Sequence, residues 1–162
     1  MIILLFGKPN SGKTTLGKAL LKRFIRDESD IPIHLDAGEL RNTLNKDLGF
    51  SKKDRIENHR RIFDIAKYLE SQNDIIISII NPYEELRNEI YKQFDNIKVI
   101  YLECPKDTLI DRDKDKHVYS GYNIYTLFDT PGWWDEPTKW DLKINTSIVS
   151  MEESINLIYN IL

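Results

Sequence analysis

A three-layer α/β/α fold on a parallel sheet of about five strands is the class this sequence predicts. Three observations predict it. The chain opens on an apolar run of strand length, "MIILLF", which passes directly into the glycine-containing stretch "GKPNSGKTT" and then into a helical pattern. Further apolar runs recur at 31–36, 74–80 and 97–103, each separated from the next by longer segments with helical spacing. The run "DIIISII" is almost continuously apolar, as a strand covered on both faces requires, rather than alternating.

Taken in order, residues 2–6 form the first strand. Residues 13–26 carry Leu16, Ala19, Leu20, Phe24 and Ile25 at close to a 3.6-residue period, which predicts a helix after the loop. "IPIHLD" (31–36) is a short strand that ends on an acid, and "ELRNTLNKDLG" (39–49) predicts a helix stopping at Gly49. Ser51, with Asp54 three residues on, is a capping-box variant that opens a helix over 52–69. Ile56, Ile62, Phe63, Ala66 and Leu69 supply one face of that helix, and Lys52, Lys53, Arg55, His59, Arg60 and Arg61 crowd the other. Strands at 74–80 and 97–103 flank a helix over about 83–94 that follows Pro82. From 112 to 141 the alternation fails: "DRDKDKH" leads through "VYSGYNIYTLF" to "DTPGWWDEP", a connection far longer than the usual ~4–6 residues and too aromatic for simple disorder. A short strand at 142–144 and a helical pattern over 146–162 complete the chain.

With 162 residues, the chain has the length of one domain able to bury a full core. Its 23 Lys plus Arg against 26 Asp plus Glu give a net charge of −3, with no long basic tail of the kind nucleic acid or a membrane surface would call for. One cysteine, Cys104, excludes an intrachain disulfide and a multi-cysteine metal site; packing explains it. No apolar run reaches the ~18 residues of a membrane span, and "MIILLFGKPN" lacks the basic flank and small-residue cleavage site of a secretory leader. A cytoplasmic protein is the expectation.

Gly7, Gly12, Lys13 and Thr14 satisfy the rule G-x-x-x-x-G-K-[ST], in the strand–loop–helix context that gives the rule its meaning. In such a loop backbone N–H groups turn inward around phosphate oxygens, and the positive end of the next helix lies beneath them. Lys13 reaches the β- and γ-phosphates and the Thr14 hydroxyl ligates Mg²⁺, so ATP and Mg²⁺ are the expected cofactors and a P-loop NTPase fold the expected architecture. Gly7, Asn10, Ser11, Gly12, Lys13, Thr14 and Thr15 make up the expected cradle; the Ser11 hydroxyl faces either ligand or the loop's own backbone. Asp36, at the end of the second strand, either serves Mg²⁺ and the attacking hydroxyl or caps the next helix. Arg41, Arg55 and Arg60 either hold an anionic acceptor through their forked donors or form a solvated helix face. His59 reads as a surface or supporting group, because His34, His59 and His117 have no metal-site spacing.

The stretch "LNKDLGFSKKDRIENHRR" (44–61), taken with the loop at 7–15, strongly resembles adenylylsulfate kinases, which phosphorylate the ribose 3′-hydroxyl of adenylylsulfate with ATP. The likeness continues through "IISIINPY" and "YLECPKDTLIDRDKD" and returns faintly in "LKINTS". The resemblance implies one kinase domain over 1–162 with a lid at about 112–135, Lys13 and Asp36 as catalytic residues, and Arg112 packed against the ATP base. It also implies Asp36, Arg41, Arg55 and Asn58 as acceptor ligands, Phe50 and Phe128 as the rings around the acceptor base, backbone at Ile79, Ile80 and Asn81 near the anionic end, and Lys143 on the same side. The expected partner is a small nucleotide, with neither nucleic acid nor membrane involved, and homodimerisation is left open.

Three departures stand against that resemblance. The family's Asp-Gly-Asp after strand two is here Asp36-Ala37-Gly38, with Glu39 one residue later. Its Ser-Pro-Tyr-Arg is here Asn81-Pro82-Tyr83-Glu84, and the lid sequence differs throughout. A relative with this kind of drift is the cytidine diphosphoramidate kinase of capsule biosynthesis, which is the alternative to adenylylsulfate; a catalytically silent nucleotide-binding protein is another.

Overall fold

The structure, a computed structural model, describes residues 1–27, 30–113 and 123–162. Five parallel strands form one sheet in the order β2-β3-β1-β4-β5: β1 Ile2–Phe6, β2 Ile33–Asp36, β3 Ile75–Ile79, β4 Ile97–Glu103 and β5 Leu142–Asn145. The first strand lies at the centre, with Ile2 opposite both Ile75 and Ile97 and Phe6 opposite both Ile79 and Tyr101. Because the chain leaves β1 with its sheet neighbours still to be built on either side, a crevice opens beyond the strands' C-terminal ends, where the glycine-rich loop lies.

Every residue of β1 is buried, and its two faces belong to two cores. Ile2, Leu4 and Phe6 pack with Ile62, Phe63 and Ala66 of α3 (Lys52–Leu69) and with Ile90 of α4 (Glu84–Gln93). Ile3 and Leu5 pack with Leu16, Leu20 and Phe24 of α1 (Lys13–Arg26) and Ile158 of α7 (Met151–Tyr159). This period-two division of one strand between two helical layers makes the three-layer sandwich.

α1 and α3 have the bounds the periodicity predicts, and Ser51 Oγ accepts from the Asp54 N–H at 3.1 Å at the start of α3. The helix expected over 39–49 is different. Only α2, Ala37–Leu40, is helical, and 41–47 continue as turns in which the Asn42 and Thr43 N–H groups reach back three residues and Asn45 N–H also returns to the Leu40 carbonyl. Asn and Thr residues, which compete with the helix through side-chain hydrogen bonds, end it early.

The final helix starts at Met151 rather than 146, capped by Ser150, because residues 146–149 form a turn in which the Ile148 and Val149 N–H groups reach back to the Asn145 carbonyl. The spacing-based reading also left out α5, Lys106–Asp111, and α6, Ile124–Asp129. The stretch 114–122 of the expected lid, with His117, lies outside the described residues.

Gly17 lets α1 approach the sheet. A Cβ there would stand 2.5 Å from His34 Nε2 and 2.8 Å from Ser78 Oγ. Ser78 Oγ donates to the Lys13 carbonyl at 3.1 Å, so at 2.9 Å it accepts from His34 Nε2–H, which fixes the tautomer of that ring. One short polar chain thus ties β2 and β3 to the first turn of α1.

Candidate active site

A cavity of about 590 Å³ lies at the C-terminal end of the sheet. It gathers Asn10, Gly12, Lys13, Thr14 and Thr15 from the loop and α1, Asp36 from β2, Arg41 and Phe50 from the following turns, Arg55 and Asn58 from α3, Ile80 and Asn81 after β3, and Arg112 after α5. These are most of the residues singled out from sequence, drawn from across the chain. Gly7, Ser11, Phe128 and Lys143 do not line it.

Each loop residue has a mechanical reason to be what it is. At Gly7 a Cβ would fall 2.4 Å from the Leu102 carbonyl oxygen, so the loop can cross β4 only without a side chain. Gly12 caps α1 at φ 94°, in the left-handed region that glycine enters at little cost. Asn10 also has a left-handed φ, 62°, and its amide donates to the Leu109 carbonyl and to Asp113, tying the loop to α5. The fully buried Ser11 hydroxyl accepts from Lys13 Nζ at 3.4 Å.

Lys13 Nζ donates to the Lys8 carbonyl at 2.7 Å and is buried, which lowers its pKa from 10.5 to about 7 even though the nearby Asp36 carboxylate pulls the other way. The Asp36 carboxylate caps the next helix and also faces the loop. One oxygen, Oδ1, accepts from the Gly38 and Glu39 N–H groups and caps α2; the other, Oδ2, accepts from the Thr14 hydroxyl at 2.6 Å. The second oxygen and the Thr14 hydroxyl are hard donors facing one cavity, which suits Mg²⁺ held mainly by phosphate and water. Among the described residues no group of three or more His, Cys, Asp or Glu forms a separate metal cage.

On the opposite wall, the basic face of α3 divides. Arg60 is exposed and pairs with Glu57 and Asp64, as a solvated helix face would. Arg55 is buried, donates through Nε to the Phe50 carbonyl and lies 5.7 Å from the Phe50 ring, while Arg41 stacks at 4.5 Å and donates to the Leu48 and Gly49 carbonyls. Two guanidinium groups and one ring therefore hold the turn at 48–50 against the cavity. Asn58 Oδ1 accepts from Asn45, and Arg61, paired with Asp47 and Glu57, lies against Asn45 in turn. That chain fixes the orientation of the Asn58 amide, whose NH₂ it can offer a ligand.

His59 is a correction to the surface reading. It is 4% exposed, stacks on Phe63 at 4.2 Å and lines the cavity, and burial pushes its pKa down to about 3. The available signal was its spacing: Arg55, Asn58, His59 and Ile62 share one helix face at i, i+3, i+4 and i+7. Thr146, Val149, Met151 and Ser154 were also missed. They join the cavity beside Arg112, whose guanidinium donates to the Asn10 carbonyl and to the Thr146 hydroxyl and carbonyl.

Outside the cavity, Phe128 packs at a tilt against Trp133, centroids 5.5 Å apart, and Lys143 pairs with Glu103 while lying over the Tyr101 and Trp140 rings. Glu84 does not line the cavity either. Its carboxylate takes the Arg87 guanidinium and the Thr138 hydroxyl, and its N–H donates to Asp135. The acid that replaces the family's arginine is thus used to fasten the residues after α6.

A family model described as adenylylsulphate kinase matches residues 1–145. The chain belongs to the adenylylsulfate kinase family. An adenylyl-sulfate kinase of Oceanobacillus iheyensis is 35% identical, over 96% of this chain and 80% of its own length, and one of Microcystis aeruginosa is 32% identical, over 98% and 88%. Among solved structures, the APS kinase of Mycobacterium tuberculosis in complex with AMPPNP and APS shares the fold with a TM-score of 0.84, at 23% identity over 98% of this chain and 95% of that one. Membership of the adenylylsulfate kinase family makes the protein a phosphotransferase, an ATP-dependent kinase acting on a nucleotide-like substrate. Among the described residues no helix is long and apolar enough to cross a membrane.

Proposed function

We propose that this protein transfers the γ-phosphoryl group of ATP to the ribose 3′-hydroxyl of adenylylsulfate or a closely similar nucleotide, as a single kinase domain in the cytoplasm. The observation that carries the reading is the continuity of the cavity. The phosphate loop and the wall formed by Arg41, Phe50, Arg55 and Asn58 line one space, so donor and acceptor can meet without crossing solvent.

In this reading the loop N–H groups and Lys13 take up the charge of the transferred phosphoryl. Thr14 and Asp36 would hold Mg²⁺, which supplies charge neutralisation on the phosphate oxygens when bound. With Oδ1 spent on the α2 cap, Asp36 has Oδ2 to orient the attacking hydroxyl. Arg41, Arg55 and the Asn58 amide hold the acceptor's anionic linkage, and Phe50 packs on its base. Arg112, positioned by Thr146, flanks the ATP base. Phe128, from the expected lid, and Lys143, from β5, complete the acceptor's surroundings.

The test is a coupled assay of ATP consumption with adenylylsulfate, cytidine diphosphoramidate and simple nucleoside monophosphates, followed by phosphorus NMR of the product. A new phosphate on a ribose 3′-oxygen with adenylylsulfate supports the assignment. A 3′-phosphate formed only from cytidine diphosphoramidate moves it to that acceptor, and ATP binding with no turnover of any of them makes the protein a silent nucleotide binder.

A further inference from the structure

Two buried polar groups on the acceptor side of the cavity have no hydrogen-bond partner among the described residues: both amide atoms of Asn81 and Nε2 of His59. They come from different elements, the end of β3 and the middle of α3, and both residues line the cavity. Leaving such groups unpaired forfeits their hydration without replacement, so their retention needs a reason.

Asn81 carries a second anomaly. Its φ is +49°, a left-handed conformation that a residue with a side chain adopts at a cost. It is held there deliberately. Arg87, 2% exposed, donates from Nη1 to the Asn81 carbonyl at 2.8 Å and from Nη2 to the Asp135 carbonyl at 2.6 Å, and its Nε donates to Glu84. Phe6 and Trp134 pack against the same guanidinium. Asp135 N–H also donates to the Pro82 carbonyl at 2.9 Å, so the turn after β3 is fastened on both sides.

The rest of the acceptor wall supplies donors, from Arg41, Arg55 and the Asn58 NH₂. The Asn81 amide adds an acceptor oxygen beside a donor, and a bare oxyanion can satisfy only the donor. We propose that the Asn81 side chain, together with His59 Nε2 in the same cavity, reads a part of the acceptor nucleotide that carries an N–H or O–H donor next to an oxygen or nitrogen acceptor. This rests on the acceptor site assigned above and adds its specificity. Such a donor–acceptor pair can come from the nucleobase edge or from the group at the far end of the anhydride.

Asn81→Gly keeps the left-handed backbone and deletes the amide, whereas Asn81→Asp keeps shape and acceptor oxygen but removes the donor. With adenylylsulfate and cytidine diphosphoramidate as probes, Asn81→Gly should raise acceptor KM at least tenfold while leaving the ATP KM and the melting temperature within error. Asn81→Asp should raise acceptor KM as well, because the carboxylate still accepts but leaves the ligand's own acceptor atom facing an oxygen and adds charge beside the anionic linkage. His59→Phe, which preserves stacking on Phe63, should raise acceptor KM in the same direction. Loss of the Asn81→Gly effect when adenine is replaced by unsubstituted purine, which lacks the exocyclic N–H, assigns the contact to the base edge; an effect confined to cytidine diphosphoramidate, whose terminal group alone carries an N–H, assigns it to that group.

Unchanged acceptor KM in Asn81→Gly overturns the proposal, as does an effect that persists with the purine analogue of adenylylsulfate, whose base and sulfate offer no N–H or O–H donor. Calorimetric binding of each probe with a non-hydrolysable ATP analogue separates the two levels. Wild type that binds without turnover removes the kinase assignment only, and unchanged affinity in Asn81→Gly removes this one.

Discussion

Lys13 shows how far burial can set a residue's chemistry. Its ammonium is desolvated by burial and its pKa is lowered to about 7, so close to pH 8 most of it is neutral. A triphosphate in the loop returns the opposite charge and restores the protonated form, so ATP binding at pH 8 should take up nearly one proton and at pH 6 almost none. Calorimetry in buffers of different ionisation enthalpy measures this, and Lys13→Met should abolish both the uptake and transfer itself. Asp36 permits a cleaner separation of roles. Asn caps helices as well as Asp does, so Asp36→Asn should retain the α2 cap and the melting temperature while lowering kcat by about 10²-fold, in the range of lost acid–base or electrostatic assistance. An effect confined to KM would instead make Asp36 a binding residue. Both residues were legible in the sequence, because loop and strand end are local. The dual use of the Asp36 carboxylate was not, since Thr14 and Asp36 meet only when β2 and α1 pack on the same sheet.

Among the elements, α1 depends on the absence of a side chain at Gly17 for its seat on the sheet. Gly17→Ala gains helix propensity but drives a methyl into His34 and Ser78, whose hydrogen bond joins β2 to β3. We expect a net loss of about 1–3 kcal/mol, as overpacking a close contact costs, measured by urea denaturation with an unchanged slope. A gain in stability would mean the ring moves aside without penalty. At this scale α1 and α3 were readable to the residue, because apolar spacing and the Ser51 cap agree. The 41–49 segment was not: its helix-compatible spacing was outweighed by Asn and Thr side chains and by the pull of Arg41 onto the carbonyls of Leu48 and Gly49.

Across the whole molecule, acid stability should track the buried imidazoles. His59 titrates at about 3 and His34 below its usual 6.5, both pushed down by burial, so the unfolded chain binds protons that the folded one refuses. The contribution of neutral His59 is therefore complete above pH 6.5 and is lost as pH falls toward 3, at roughly 1.4 kcal/mol per unit. Denaturation midpoints between pH 7 and 4 should fall steeply for wild type and less steeply for His59→Phe; parallel curves would show that other groups dominate. The sequence by itself determined the sheet class, the phosphate loop, the ends of the principal helices and the family, because each is written in contiguous residues whose spacing carries a local physical meaning. Only the tertiary structure decided that Arg55 and His59 face the cavity while Arg60 faces solvent, that Glu84 fastens a neighbouring segment, and that Arg87 holds Asn81 in a strained turn. Those outcomes depend on which residues from distant strands and helices compete for one charge or one hydrogen bond, and spacing along a chain does not record that competition.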